Sequence, residues 1–133
     1  MSQTERVMPA PIPTEDSIPF WEAAAEGRFL VKHCPDCQQA HWYPRAACPF
    51  CHSEGTQWRQ SPGTGAIYSY SVMRRAKPPY VVAFVTLDEG PTMLSNIVSC
   101  DPDALAIGQR VRVTFRKSDG DFMVPVFEPD AAT

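Results

Sequence analysis

The chain of 133 residues has no block of charge of either sign, no apolar run long enough to cross a membrane, and little glycine. Twelve Lys and Arg against 15 Asp and Glu leave a net charge of −3, spread along the chain. Nucleic-acid backbones are gripped by basic patches, so a general affinity for them is not implied. The longest apolar run, Tyr80 to Val85, is strand-length, whereas a spanning helix needs about 20 residues. Met1-Ser2-Gln3-Thr4-Glu5-Arg6 lacks the apolar centre of a secretory signal, so the expected location is cytoplasmic. A catalytic constellation is also missing. Outside two paired motifs the one cysteine is Cys100, followed by Asp101-Pro102-Asp103, an anionic stretch that disfavours a thiolate. Asp88 and Glu89 share a turn and read as solvated rather than as an acid–base pair. The chain is therefore expected not to be an enzyme.

What is present is a metal motif. Cys34-Pro35-Asp36-Cys37 and Cys48-Pro49-Phe50-Cys51 stand ten residues apart. Two residues between paired cysteines let both sulfurs point at one ion from a tight turn, and two such turns supply four tetrahedral thiolates. With every position filled by protein, no place is left for water or substrate, so the motif argues for structural zinc and against zinc catalysis. An Fe(Cys)₄ site uses the same ligands, so iron stays open beside zinc. His33, His41 and His52 flank the cysteines and read as surface residues or as neighbours behind the sulfurs.

Along the chain, Ser17 is a candidate helix cap, Pro19 suits a first turn and Gly27 a left-handed stop, which predicts a helix over 18–26. Arg28 to His33 and Ala40 to Tyr43 read as short strands around the first knuckle, with Trp58 opening an exit strand. Ser61-Pro62-Gly63-Thr64-Gly65 reads as the joint to a second unit. Strands follow at 67–75, 80–88, 92–99, 110–117 and 123–127. In the fourth, Val111, Val113 and Phe115 alternate with Arg110, Arg112, Thr114 and Arg116. The fold class is mainly β: a short helix, a rubredoxin-like zinc ribbon, then a five-stranded barrel of OB type. The divisions are a flexible tail over 1–16, helix and ribbon over 17–62, barrel over 63–129 and a tail over 130–133.

The whole pattern resembles a known family, the small proteins with a rubredoxin-like zinc ribbon followed by an OB fold, long labelled a domain of unknown function. The residues that carry the resemblance are Pro19-Phe20-Trp21, Glu26-Gly27-Arg28-Phe29, the two cysteine knuckles and Tyr43-Pro44-Arg45. Gly63-x-Gly65-x-Ile67-Tyr68-Ser69-Tyr70, Pro79 to Ala83, Leu87 to Pro91 and Ile107-Gly108 complete it. The family usually has glycine after the first knuckle, where this chain has Gln38, so mild strain is expected there. The resemblance implies an accessory role. Members are similar to subunits that dock on thiolase-like or aldolase enzymes, hold the assembly together and help shape its acyl-CoA channel, while the nucleophile belongs to the partner. A stand-alone acyl-CoA binding module is the alternative. Single-stranded nucleic acid, stacked on Tyr68, Tyr70 and Tyr80, is a third and weaker reading.

Three further groups of residues bear on partners. Arg74, Arg75 and Lys77 form a basic cluster able to contact the phosphates of coenzyme A. Phe20 and Trp21 sit on a helix too short to bury both fully, so they either meet a partner or fasten the helix to the ribbon. Tyr80, Val82 and Phe84 alternate with Val81, Ala83 and Val85, so this strand is apolar on both faces. One face belongs to the barrel core, and the other needs cover from the ribbon, the helix or another chain. Phe20, Trp21, Tyr80, Val82 and Phe84 are therefore expected at a partner surface. The assembly is expected to be a hetero-oligomer, with a homodimer open for the chain alone.

Overall fold

The computed structural model describes residues 7–130. A 3-10 turn, Glu15–Ser17, leads into α1, Ile18–Ala25. Ser17 occupies the cap position, but its hydroxyl donates to the Thr14 carbonyl at 3.1 Å instead of accepting from the helix. The stop at Gly27 is as the sequence predicts. Its φ is 79°, and the Gly27 and Arg28 amides close onto Ala24 and Ala23 at 3.0 and 2.9 Å, a Schellman turn.

The ribbon is a three-stranded antiparallel sheet of β1 (Leu30–Cys34), β2 (Gln39–His41) and β3 (Gln57–Gln60), in the order β2-β1-β3. The barrel consists of β4 (Thr64–Met73), β5 (Tyr80–Leu87), β6 (Thr92–Ile97), β7 (Arg110–Lys117) and β8 (Met123–Pro129). It closes in the order β4-β5-β6-β8-β7. β7 matches the alternating stretch in the sequence residue for residue. β4 starts earlier than Ile67, because Thr64 to Ala66 pair with Arg112 to Arg110 and close the barrel. β6 and β8 run parallel and pair at one position, Ile97 with Phe127. Between β6 and β7, Pro102–Ala104 forms one 3-10 turn, as the short loop allows.

Ribbon, helix and barrel share one core. Phe20, Phe29 and Val31 cluster with Ile67, Val81, Val85, Val111 and Phe127. The edge of the Phe29 ring meets Phe127, with centroids 6.3 Å apart. The joint is locked rather than loose. Ser61 N–H donates to the Phe29 carbonyl at 2.8 Å, and Val113 N–H donates to the Gly63 carbonyl at 2.7 Å. Gly63 has φ 74°, and a Cβ there would collide with the Val113 side chain.

The expected tail over 1–16 needs correction from residue 7 onward. Met8 bridges Ser118 in parallel and is 6% exposed, while Ala10 N–H donates to the Asp119 carboxylate at 2.8 Å. This arm clasps the β7–β8 turn; residues 1–6 and 131–133 lie outside the described residues. The basic stripe of β7 is also engaged. Arg110 makes two bonds to Asp88, at 2.8 and 2.7 Å, and Arg112 reaches Glu128 at 2.9 Å. The Arg110 and Thr64 bonds hold the Asp88 carboxyl down at about 2.

Candidate metal centre and association surfaces

Each knuckle is a tight turn whose next residue enters the left-handed region: Gln38 with φ 59° and His52 with φ 66°. The turns bring Sγ of Cys34 and Cys51 to 3.6 Å, Sγ of Cys37 and Cys48 to 3.6 Å, and all four within 4.8 Å of one another. Metal–sulfur bonds of about 2.3 Å in a tetrahedron require sulfurs roughly 3.8 Å apart, so this donor set fits one thiophilic cation. Phe50 N–H donates to Cys48 Sγ at 3.4 Å. Ser53, beside the second knuckle, donates to the Asp36 carboxylate of the first and ties the two turns together.

Two of the thiols are pushed in opposite directions. Burial, with bonds from the other sulfurs, pushes Cys37 up to about 12. Burial also pushes Cys48 up, but the amides of Cys51 and Phe50 outweigh it and bring this thiol down to about 7. A cation that takes all four as thiolates must displace their protons, which couples metal binding to pH and to folding. A cation held by all four sulfurs would have every coordination position filled by the chain.

The left-handed residues yield a test. A non-glycine residue pays about 1 kcal/mol in that region. Gln38→Gly is therefore expected to stabilise the metal-bound ribbon by about 0.5–1 kcal/mol, read as a higher urea midpoint; a lower midpoint would mean that the Gln38 side chain holds the turn.

Of the three histidines, His41 departs from its expected place. It is 2% exposed in the ribbon interior, and neither ring nitrogen has a hydrogen-bond partner. Burial, with the charges of Lys32 and Arg45, lowers its pKa below 6.5, so the ring is neutral near pH 7. Only its place at the inner end of β2, before Trp42, hinted at this in the sequence.

The basic cluster is not one site. Arg74 is bonded to Asp103 at 2.8 Å. Arg75 and Lys77 lie exposed on the β4–β5 turn and form no ion pair among the described residues. The aromatic pair also divides. Phe20 is fully buried, which removes it from any surface and corrects its expected role. Its ring sits edge-on between Trp21 and Trp42, both 4.9 Å away. The helix is too short to bury both rings on its own, but Phe29 and Trp42 of the ribbon complete the pocket around Phe20. Trp21 stays half-buried, with Phe122 at 5.8 Å on its other side. With Trp42, Tyr43, Leu94, Asn96 and Pro125 it lines a groove of about 420 Å³ between helix, ribbon and barrel. Trp42 and Tyr43 lie just beyond the end of β2 instead of within a strand, and form groove walls.

On β5, Val81, Ala83, Val85 and Leu87 fill the core while Tyr80 and Val82 are half-buried. Phe84 is 45% exposed, so neither ribbon nor helix covers it. Tyr70 donates its hydroxyl to the Leu105 carbonyl at 2.9 Å and belongs to the core margin, which leaves Tyr68 as the exposed tyrosine of β4.

Two family models match in tandem: the rubredoxin-like zinc ribbon domain of ChsH2 over residues 21–57 and the ChsH2 C-terminal OB-fold domain over residues 58–116. The chain is 35% identical over 112 residues to a DUF35 domain-containing scaffold protein of Methanocaldococcus jannaschii, covering 76% of this chain and 79% of that protein. It is 33% identical over 136 residues to the probable enoyl-CoA hydratase alpha subunit of Thermomonospora curvata, 96% of this chain but 43% of that one. The chain thus spans less than half the length of that relative. Among solved structures it superposes on a chain of the Ltp2-ChsH2(DUF35) aldolase with a TM-score of 0.79 and 33% identity, over 90% of this chain and 98% of that one. A four-thiol ribbon locked onto an OB barrel, with both halves matched, makes the chain a member of the ChsH2 (DUF35) family.

Proposed function

We propose that the chain is a zinc-containing, non-catalytic accessory subunit of a thiolase- or aldolase-type acyl-CoA enzyme complex. The observation that carries this is the closed four-thiol centre in a chain whose relatives include scaffold proteins and part of an aldolase assembly. The residues outside that centre support it. Burial and the Asp101 charge raise the Cys100 thiol, so it is not poised as a nucleophile. Asp88 is committed to Arg110. The subunit stabilises its partner enzyme and shapes the acyl-CoA channel, while the partner supplies the nucleophile. The Trp21 groove receives the partner, Tyr80, Val82 and Phe84 supply a second association face, and Arg75 and Lys77, next to the Asp103-bonded Arg74, lie near the coenzyme A phosphates.

Affinity capture from the native host tests the reading. The expected catch is a thiolase-like or aldolase protein whose activity or solubility rises on co-expression, while the chain alone turns over no acyl-CoA. Trp21→Ala is expected to reduce capture while the metal stays bound. If that variant melts earlier yet captures the enzyme fully, the groove is structural. Turnover by the lone chain, lost in Cys100→Ser, would overturn the accessory role. The alternative, a stand-alone acyl-CoA module, rests on the same groove; calorimetry of the lone chain with an acyl-CoA distinguishes it.

A further inference from the structure

The outer face of β4, β5 and β6 carries no charge. Not one residue of these three strands is Asp, Glu, Lys or Arg, whereas β7 alone has Arg110, Arg112, Arg116 and Lys117. Besides Met73 at the end of β4, 40% exposed, three large side chains stand out of that face: Tyr68 at 66% exposure, Phe84 at 45% and Leu94 at 58%. They are neighbours. Phe84 pairs with Leu94 on β6 and with Ser69 on β4, and the bulge between Ile67 and Ser69 holds Tyr68 beside it. A charge-free apolar centre flanked by charges is the composition of an interface core and its rim.

The rim has a direction. At one end, the β4–β5 turn presents Arg75 and Lys77; at the other, the β5–β6 turn presents Glu89. None of the three forms an ion pair among the described residues. Asp88 at the acidic end is already neutralised by Arg110. A two-fold axis in the plane of contact, perpendicular to the strands, reverses the strand direction of the second copy. It sets the basic turn of each copy against the acidic turn of the other, twice over, as an isologous contact requires. Phe84 lies near the middle of β5, so the axis stacks it against its own copy.

We infer that this face is a self-complementary surface whose occupant is a second copy of the chain, with Phe84 at its centre and Arg75–Glu89 contacts at both ends. The dimer goes beyond the accessory role and is read on the lone chain: Phe84, Leu94 and Arg75 also belong to surfaces which that role gives to the enzyme and to coenzyme A, so a second copy and the partner compete for one face.

Light scattering behind size exclusion, on the metal-loaded chain without partner, tests it. The expected mass is that of two chains, falling to one on dilution. Phe84→Glu, at an exposed site, is expected to keep the circular dichroism of the wild type and raise the dimer dissociation constant by about tenfold or more. Arg75→Glu and Glu89→Arg are each expected to weaken the dimer several-fold, and the two changes in one chain to restore it, because each residue meets the other across the axis. A wild type of single mass at every concentration overturns the inference, including the case in which Phe84→Glu instead abolishes capture of an enzyme. So does a dimer indifferent to Phe84→Glu, or a double reversal that fails to restore pairing.

Discussion

Cys48→Ser is expected to empty the metal centre and collapse the ribbon. Cys48 is 1% exposed, with Cys37 Sγ at 3.6 Å and the Phe50 amide at 3.4 Å. Serine offers a hard, protonated oxygen where a soft thiolate is needed. The ribbon strands are 5, 3 and 4 residues long, too short to hold a sheet unaided. A structural zinc in such a unit supplies about 10 kcal/mol or more of folding free energy, comparable with the whole stability of an ordinary domain, about 5–15 kcal/mol. Elemental analysis is expected to fall from one metal per chain to nearly none, and the NMR signals of β1 to β3 to lose dispersion. The barrel is expected to melt earlier too, since Phe29 meets Phe127 and Val31 belongs to the same core cluster. Full metal content with an ordered ribbon in Cys48→Ser would mean that three sulfurs suffice and would refute the closed four-thiolate centre. A visible iron spectrum in the wild type would keep the site and change the ion.

Phe20→Ala is expected to be the most damaging single change outside the metal centre and the glycine joints, at about 3–5 kcal/mol. Its ring is fully buried at the point where helix, ribbon and barrel meet, with Trp21, Trp42 and Phe29 around it. Alanine leaves a hole that three large rings cannot close without giving up their own contacts. Trp21→Ala removes a half-buried ring and is expected to cost clearly less. Urea unfolding of both variants in the metal-bound state settles the order. A Phe20→Ala cost below about 1 kcal/mol would mean that the junction repacks freely.

The local parts of this fold were legible because their signals are local. Paired cysteines at two-residue spacing need no tertiary context. Nor does the alternation of Arg110 to Lys117, which became β7 without a shift of boundary. What the sequence could not show depends on which elements meet. Met8 stands among prolines with no period to mark it, and only the arrival of Ser118 makes it a bridge. Phe20 and Trp21 are adjacent aromatics of equal promise, and the ribbon's Trp42 decides which is covered. His41 looks like its two neighbours in sequence until the sheet closes over it. Gly65 reads as linker, yet it belongs to β4 beneath the Thr86 carbonyl, where a Cβ would clash. The two knuckles were legible as one cluster of four thiols; the left-handed residue after each was anticipated only at Gln38.

The locked joint bears on how such proteins can be recombined. Gly63 takes its place because Val113, fifty positions later on β7, leaves room for a hydrogen and nothing more. A chimaera that grafts the ribbon of one relative onto the barrel of another has to transplant residues 61–65 together with the position of Val113. Cut between residues 62 and 63 alone, the two halves would arrive with mismatched seams.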